Sequence, residues 1–137
     1  MMNGMSRAAC ERWCRRHRVR LAVVFGSTVT GRRTAHSDLD LAFWLEGKRI
    51  EGQELVLTNA LMRDLHRNDV DVVVLNHAAP LLQWQIVSTG RLVYERQPGQ
   101  FHQLQVQAMK RYQDSRKLLD LQELFLTRFL KRVKPAW

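Results

Sequence analysis

The sequence predicts a mixed α/β (α+β) domain: a small mixed sheet of three to four strands packed with helices, plus a long helical segment at the C-terminus. Three observations carry that expectation. Short runs rich in Val, Leu and Phe fall at 20–25, 38–45 and 69–75 and read as strands, stretches with apolar residues three and four apart separate them, and 100–132 holds neither Gly nor Pro. At 137 residues the chain is expected to form one domain, 1–137, with 100–134 as a C-terminal helical extension. That size buries about two-thirds of the unfolded chain's surface without disulfides or structural metal.

Each element has a local reason. Residues 5–18 lack Gly and Pro and place Ala9 and Trp13, and Cys10 and Cys14, four apart, which predicts an amphipathic helix. The strand 20–25 ends in a Gly26-Ser27 turn, followed by a short helix to about Arg33, a polar loop and the strand 38–45. Glu46-Gly47-Lys48-Arg49 is a turn, and Leu55, Val56, Leu57, Ala60, Leu61, Met62 and Leu65 mark a helix over 52–67. The strand 69–75 stops at Asn76. Pro80 suits the first turn of a helix that Gly90 ends, and 91–95 adds an edge strand. In 100–132, Phe101, Leu104, Ala108, Tyr112, Leu118, Leu119, Phe125, Phe129 and Leu130 recur at helical intervals, as one helix or as two broken near Asp114-Ser115. The apolar face of this segment either caps the domain's own core or is intended for another chain.

Composition narrows the partners. A formal charge of +9 and a pI near 10.6 suit a nucleotide, RNA or an acidic protein face. The basic residues are dispersed, however, and no strand interleaves aromatics with Lys and Arg, so direct nucleic-acid binding is not expected. Cys10 and Cys14 have no second pair to complete a zinc site and read as reduced thiols. Arg7, Glu11, Arg12, Arg15 and Arg16 interrupt any signal-peptide core, and no stretch approaches the roughly 20 apolar residues that span a bilayer. A cytoplasmic protein without a membrane partner is the expectation.

The chemistry concentrates in Gly26-Ser27, ten intervening residues and Asp38-Leu39-Asp40. Residues two apart on a strand project to one face, so Asp38 and Asp40 are placed to grip the same divalent cations. Asp71, within Val70-Asp71-Val72-Val73-Val74, offers a third acid; Asp69 shares its face and is the alternative, less favoured because it follows Arg67-Asn68 at the strand's mouth. Nucleotidyl transfer requires an attacking hydroxyl, the α-phosphate and the departing pyrophosphate held in line while negative charge is neutralised. Two divalent ions about 3.5–4 Å apart do this, and magnesium prefers carboxylate and phosphate oxygens. Gly26 lets backbone approach phosphate, and Ser27 offers its N–H and hydroxyl. Asp71 would lie near the incoming hydroxyl and help remove its proton.

The remaining candidates have blander explanations. Ser37 either bonds the acids or ends the loop, and Arg32 and Arg33 either reach the triphosphate or cap a solvated helix. His17, His36, His66, His77 and His102 default to the surface, with His36 alone near the site. Trp13, Trp44, Trp84 and Trp137 read as core or interface residues. Ser27 lacks the Gly-x-Ser-x-Gly elbow of a hydrolase nucleophile.

With these residues the chain resembles the minimal nucleotidyltransferases (MNT) of the DNA polymerase beta superfamily, through Gly26-Ser27 and Asp38-x-Asp40. The run Asp69 to Asn76, then Ala79-Pro80-Leu81-Leu82, Gly90 to Tyr94 and Met109 to Gln113, is similar to the antitoxin subgroup paired with HEPN-domain ribonuclease toxins. The resemblance implies a nucleotidyltransferase fold and an enzyme that uses ATP and Mg2+, two ions, to transfer AMP onto a tyrosine of a cognate HEPN toxin with which it forms a hetero-oligomer. By position, Gly26 and Ser27 would hold phosphate, while Asp38, Asp40 and Asp71 would bind metal and carry catalysis. Val74 departs from relatives that place a further acid there. A non-catalytic antitoxin that works by complex formation is one alternative. A nucleotidyltransferase of small molecules such as aminoglycosides is another, although that activity usually needs an acceptor domain for which this chain is short.

Overall fold

The computed structural model describes residues 4–26, 39–48 and 50–132. Helix α1 (Arg7–Arg16) starts where the Ser6 side chain accepts the Ala9 N–H at 3.2 Å, and it carries Arg15 and Arg16 in its last turn, opposite the negative end of the helix dipole. A left-handed Arg18 (φ 57°) then turns the chain into β1 (Val19–Phe25). Strand β2 (Leu39–Leu45) is followed by α2 (Gln53–Leu65), which a left-handed His66 ends two residues short of the expected boundary, its N–H donating to Met62 O.

Strand β3 spans Val70–Val74, one residue shorter at each end than the apolar run, because Leu75–His77 coil into a 3-10 turn. Asn76 supplies the reason: its side chain accepts the Leu45 N–H and donates to Leu45 O, both at 2.8 Å, and so takes over the backbone pairing that another strand residue would make. Helix α3 (Pro80–Thr89) begins with Pro80 in its first turn, and β4 (Arg91–Glu95) follows. Between them, a Cβ on Gly90 would lie 2.5 Å from both Ile86 O and Val23 Cγ1; only glycine lets the end of α3 approach β1 this closely. Residues Gln100–Arg132 form one continuous helix, α4, with no break at Asp114-Ser115.

The strands form a mixed sheet in the order β3-β2-β1-β4, with β1 antiparallel to both neighbours and β2 parallel to β3. Both faces are covered, which is why the central strands read as nearly unbroken apolar runs. On one face, Cys10, Trp13 and Cys14 of α1 and Leu57, Ala60 and Leu61 of α2 pack on Val24, Leu39, Leu41, Phe43, Val72 and Val74. On the other, Ile86 and Val87 of α3 and Leu104 and Ala108 of α4 pack on Leu21, Val23 and Ala42, with Phe25, Trp44 and Val73 beside them. Cys10 and Cys14 are buried and not joined in a disulfide; the hydrogen bond between them and their burial push the Cys14 thiol far above its ordinary range. Among the described residues no helix is long and apolar enough to cross a membrane.

One expectation needs correction. His17 is not a surface residue by default: its ring is half-buried and stacks on Trp13 with centroids 4.2 Å apart, and its Nε2 is buried without a hydrogen-bond partner. The cause is position, since His17 caps α1 one turn beyond Trp13, which anchors the core.

Candidate active site

Strand alternation decides which side chains meet at the far end of β1. Leu39 and Leu41 point into the α1/α2 core, so Asp40 between them faces the α3/α4 side, as do Ala42 and Trp44. The same rule puts Val70, Val72 and Val74 on the α1/α2 side and Asp71 with Val73 on the other. The parallel register pairs Asp40 with Asp71, and the antiparallel register pairs Asp40 with Phe25, the residue before Gly26. Two carboxylates and a glycine turn, from three separated pieces of sequence, therefore converge at one corner of the sheet.

The corner is close-packed. Gly26 adopts φ +75°, and a Cβ built on it would overlap Oδ2 of Asp40, so the carboxylate lies directly against the glycine backbone. Asp40 is partly buried and Asp71 exposed. Like charges directly opposite one another on neighbouring strands repel, and hard oxygen donors arranged this way suit a shared Mg2+. Among the described residues no set of three or more His, Cys, Asp or Glu is grouped to hold a metal ion. Asp38, the third expected acid, lies outside the described residues together with Ser27, Arg32, Arg33, His36, Ser37 and the expected short helix.

Asp69 has another engagement. Arg67 donates to both of its oxygens, Nε to Oδ1 at 2.7 Å and Nη2 to Oδ2 at 2.6 Å, and the Asp69 carbonyl accepts the Leu39 N–H at 2.8 Å. Asp69 thus ties the mouth of β3 to the start of β2, while Asp71 sits inside the ladder beside Asp40.

Sequence reading missed a buried polar joint on the same face. Gln83 of α3 is 1 % exposed; its Nε2 donates to Leu75 O at 2.9 Å and its Oε1 accepts from Arg111 Nη1 of α4 at 2.9 Å. A glutamine in a helix carries no sign of such a role, although its place in the otherwise apolar turn Leu81-Leu82-Gln83-Trp84 is the one available hint.

Comparison with known proteins bears on the fold and the family. No curated protein matches the chain. The fold matches a chain of a toxin–antitoxin crystal structure with AMP-PNP at TM-score 0.71 and 21 % identity, covering 88 % of this chain and 99 % of that one. It also matches a chain of the MntA–HepT toxin–antitoxin structure at TM-score 0.64 and 20 % identity, covering 87 % and 96 %. A third match, at TM-score 0.63 and 20 % identity over 87 % and 95 %, is to a chain of a structure of tri-AMPylated Shewanella oneidensis HEPN toxin in complex with MNT antitoxin. The polymerase beta nucleotidyltransferase domain model matches residues 9–99, from α1 through β4 and across the whole acid-bearing corner, and the chain belongs to that family.

Proposed function

We propose that the protein is a cytoplasmic antitoxin that transfers AMP from ATP to a tyrosine of a cognate HEPN-type ribonuclease toxin and so silences it. The observation that carries this reading is the in-register pair Asp40 and Asp71 packed against the Gly26 turn. Family membership supplies the reaction class, and the AMP-PNP-bound and tri-AMPylated neighbours suggest the donor and the acceptor.

In this reading Asp38, Asp40 and Asp71 hold two Mg2+ ions, which supply neutralisation of charge on the triphosphate. Gly26 and Ser27 bind the β- and γ-phosphates through backbone N–H groups and the serine hydroxyl. Asp71, whose side chain is exposed, accepts the proton of the tyrosine hydroxyl. The phenolic oxygen attacks the α-phosphorus, a new O–P bond forms, the bond from that phosphorus to the β-phosphate oxygen breaks, and pyrophosphate leaves. Asp40, fixed by its contact with Gly26, orients the ligands without rearranging, which is how a rigid site lowers a barrier.

Intact-mass measurement of the toxin, co-expressed with the wild-type chain or with Asp40→Asn, tests the reading. The wild type is expected to add one or more AMP units, and the variant to lose at least about 100-fold in rate. Protection by Asp40→Asn without any mass increase would replace the enzymatic reading with neutralisation by complex formation.

A further inference from the structure

Helix α4 is about 50 Å long at 1.5 Å per residue, yet only Leu104 and Ala108 on it are buried. Every residue of 116–132 is exposed. Over this stretch Leu118, Leu119, Leu121, Leu124, Phe125, Leu126, Phe129 and Leu130 are each 48 to 69 % exposed. An exposed apolar surface of this extent is the mark of an interaction site. The stripe that packs on the domain through Leu104 and Ala108 continues at three- and four-residue steps through Tyr112, Ser115 and Leu119, is interrupted at Gln122 and Glu123, and resumes at Leu126 and Leu130, so the exposed apolar surface runs on from the domain's own core face. Gln83 lies opposite Arg111 and Val87 opposite Gln105. This antiparallel alignment brings the first turn of α3, with exposed Leu81 and Leu82, to the root of the free stretch.

Two features define what covers it. First, the apolar arc, from Leu121 round through Phe125, Leu118, Phe129, Leu126 and Leu119 to Leu130, with Gln122 as the one polar residue at its middle, is far wider than the two-in-seven seam of a single helix pair; a groove between two helices fits it. Second, one border of the arc carries Lys117 and Arg128, with Arg132 just inside it between Leu121 and Phe125, whereas the other carries Glu123 and Arg116. A second copy in antiparallel two-fold pairing would set the cationic border against itself, and a parallel copy would offer only Glu123 to three cations. We infer that the free stretch of α4, with the first turn of α3, docks into a groove between helices of a partner protein whose rim carries Asp and Glu side chains. The inference rests on the proposed function for that partner's identity, the HEPN-type toxin.

Titration of the purified toxin with the full chain tests this. Phe125→Asp, at a solvent-exposed site, is expected to weaken binding more than about 30-fold with an unchanged thermal midpoint. Arg128→Glu is expected to weaken it about tenfold and to flatten its salt dependence. Asp40→Asn is expected to bind as the wild type does. If no variant or wild-type chain transfers AMP while Phe125→Asp and Arg128→Glu weaken binding and Asp40→Asn does not, the enzymatic reading falls and the docking surface stands. Wild-type affinity in Phe125→Asp overturns the docking surface, as does a toxin-free dimer that Phe125→Asp converts to monomer.

Discussion

The corner around Gly26, Asp40 and Asp71 and the free half of α4 are opposites in construction. At the corner three stretches distant in sequence meet with no room for one methyl group, and their positions are dictated by strand register on both sides. Along 116–132 every residue of a single helix is exposed, and among the described residues its support is its own hydrogen bonds and the packing of its first half. Geometry made of long-range contacts suits chemistry, which tolerates little displacement. A continuous apolar helix suits capture of a partner, which supplies the missing contacts itself. Damage at the corner should therefore register in both stability and catalysis, and damage on the free stretch in association alone.

The largest effect that would break or uphold this contrast comes from Gly26→Ala. The added Cβ overlaps Oδ2 of Asp40, and the φ of +75° is one that an L side chain adopts with strain. Destabilisation of about 1–3 kcal/mol is expected in a denaturant titration, together with loss of AMP transfer beyond what unfolding accounts for. A variant that stays within about 0.5 kcal/mol of wild type would mean that the corner has slack and that rigidity is not what separates the two regions.

Gln83 sits at the joint between the regions and sharpens the comparison at intermediate size. It links Leu75 O, just past β3, to Arg111, just before α4 leaves the domain. Gln83→Ala removes both bonds, leaving Leu75 O with only the longer bond from the Ala78 N–H at 3.3 Å, at a cost of about 0.5–1.5 kcal/mol. Because α4 is anchored here, toxin binding should weaken in this variant through misorientation of the helix, with catalysis on any acceptor that still binds less affected. Unchanged binding alongside lowered stability would show that the packing of Leu104 and Ala108 and the bond from Gln105 to Val87 O suffice to orient the helix.

How much of this was legible in the sequence depends on whether a signal was local. The strands at 20–25, 38–45 and 69–75 announced themselves as apolar runs, and alternation alone put Asp40 and Asp71 on definite faces. That those faces coincide follows from the parallel register of β2 and β3, a tertiary fact. Asn76 read as a stop signal, yet it stops β3 by bonding to Leu45, 31 positions earlier. Arg67 and Asp69 lie in the connection between Leu65 and Val70, where no period says which side chains meet, and the sequence left Asp69 competing with Asp71. In α4 periodicity revealed the apolar stripes and could not say where the domain beneath them ends.

The smallest expected effect lies away from both regions and measures the background against which they are compared. His17 has its pKa pulled below the ordinary 6.5 by burial, aided by the charge of Arg16 beside it, while Asp64 pulls weakly the other way. The folded state thus prefers the neutral ring, and the unfolded state binds the proton more readily. This contribution to stability is complete above about pH 6.5 and is lost as the pH falls from there through the depressed folded value. Thermal midpoints for wild type and His17→Gln, compared between about pH 7.5 and about pH 5.5, should converge at the acid end, with a difference of no more than a few degrees. A gap that instead widens on acidification would mean that protonated His17 gains a partner in the folded state, with Asp64, hydrogen-bonded to the Trp13 Nε1–H at 2.9 Å, as the nearest carboxylate to supply it.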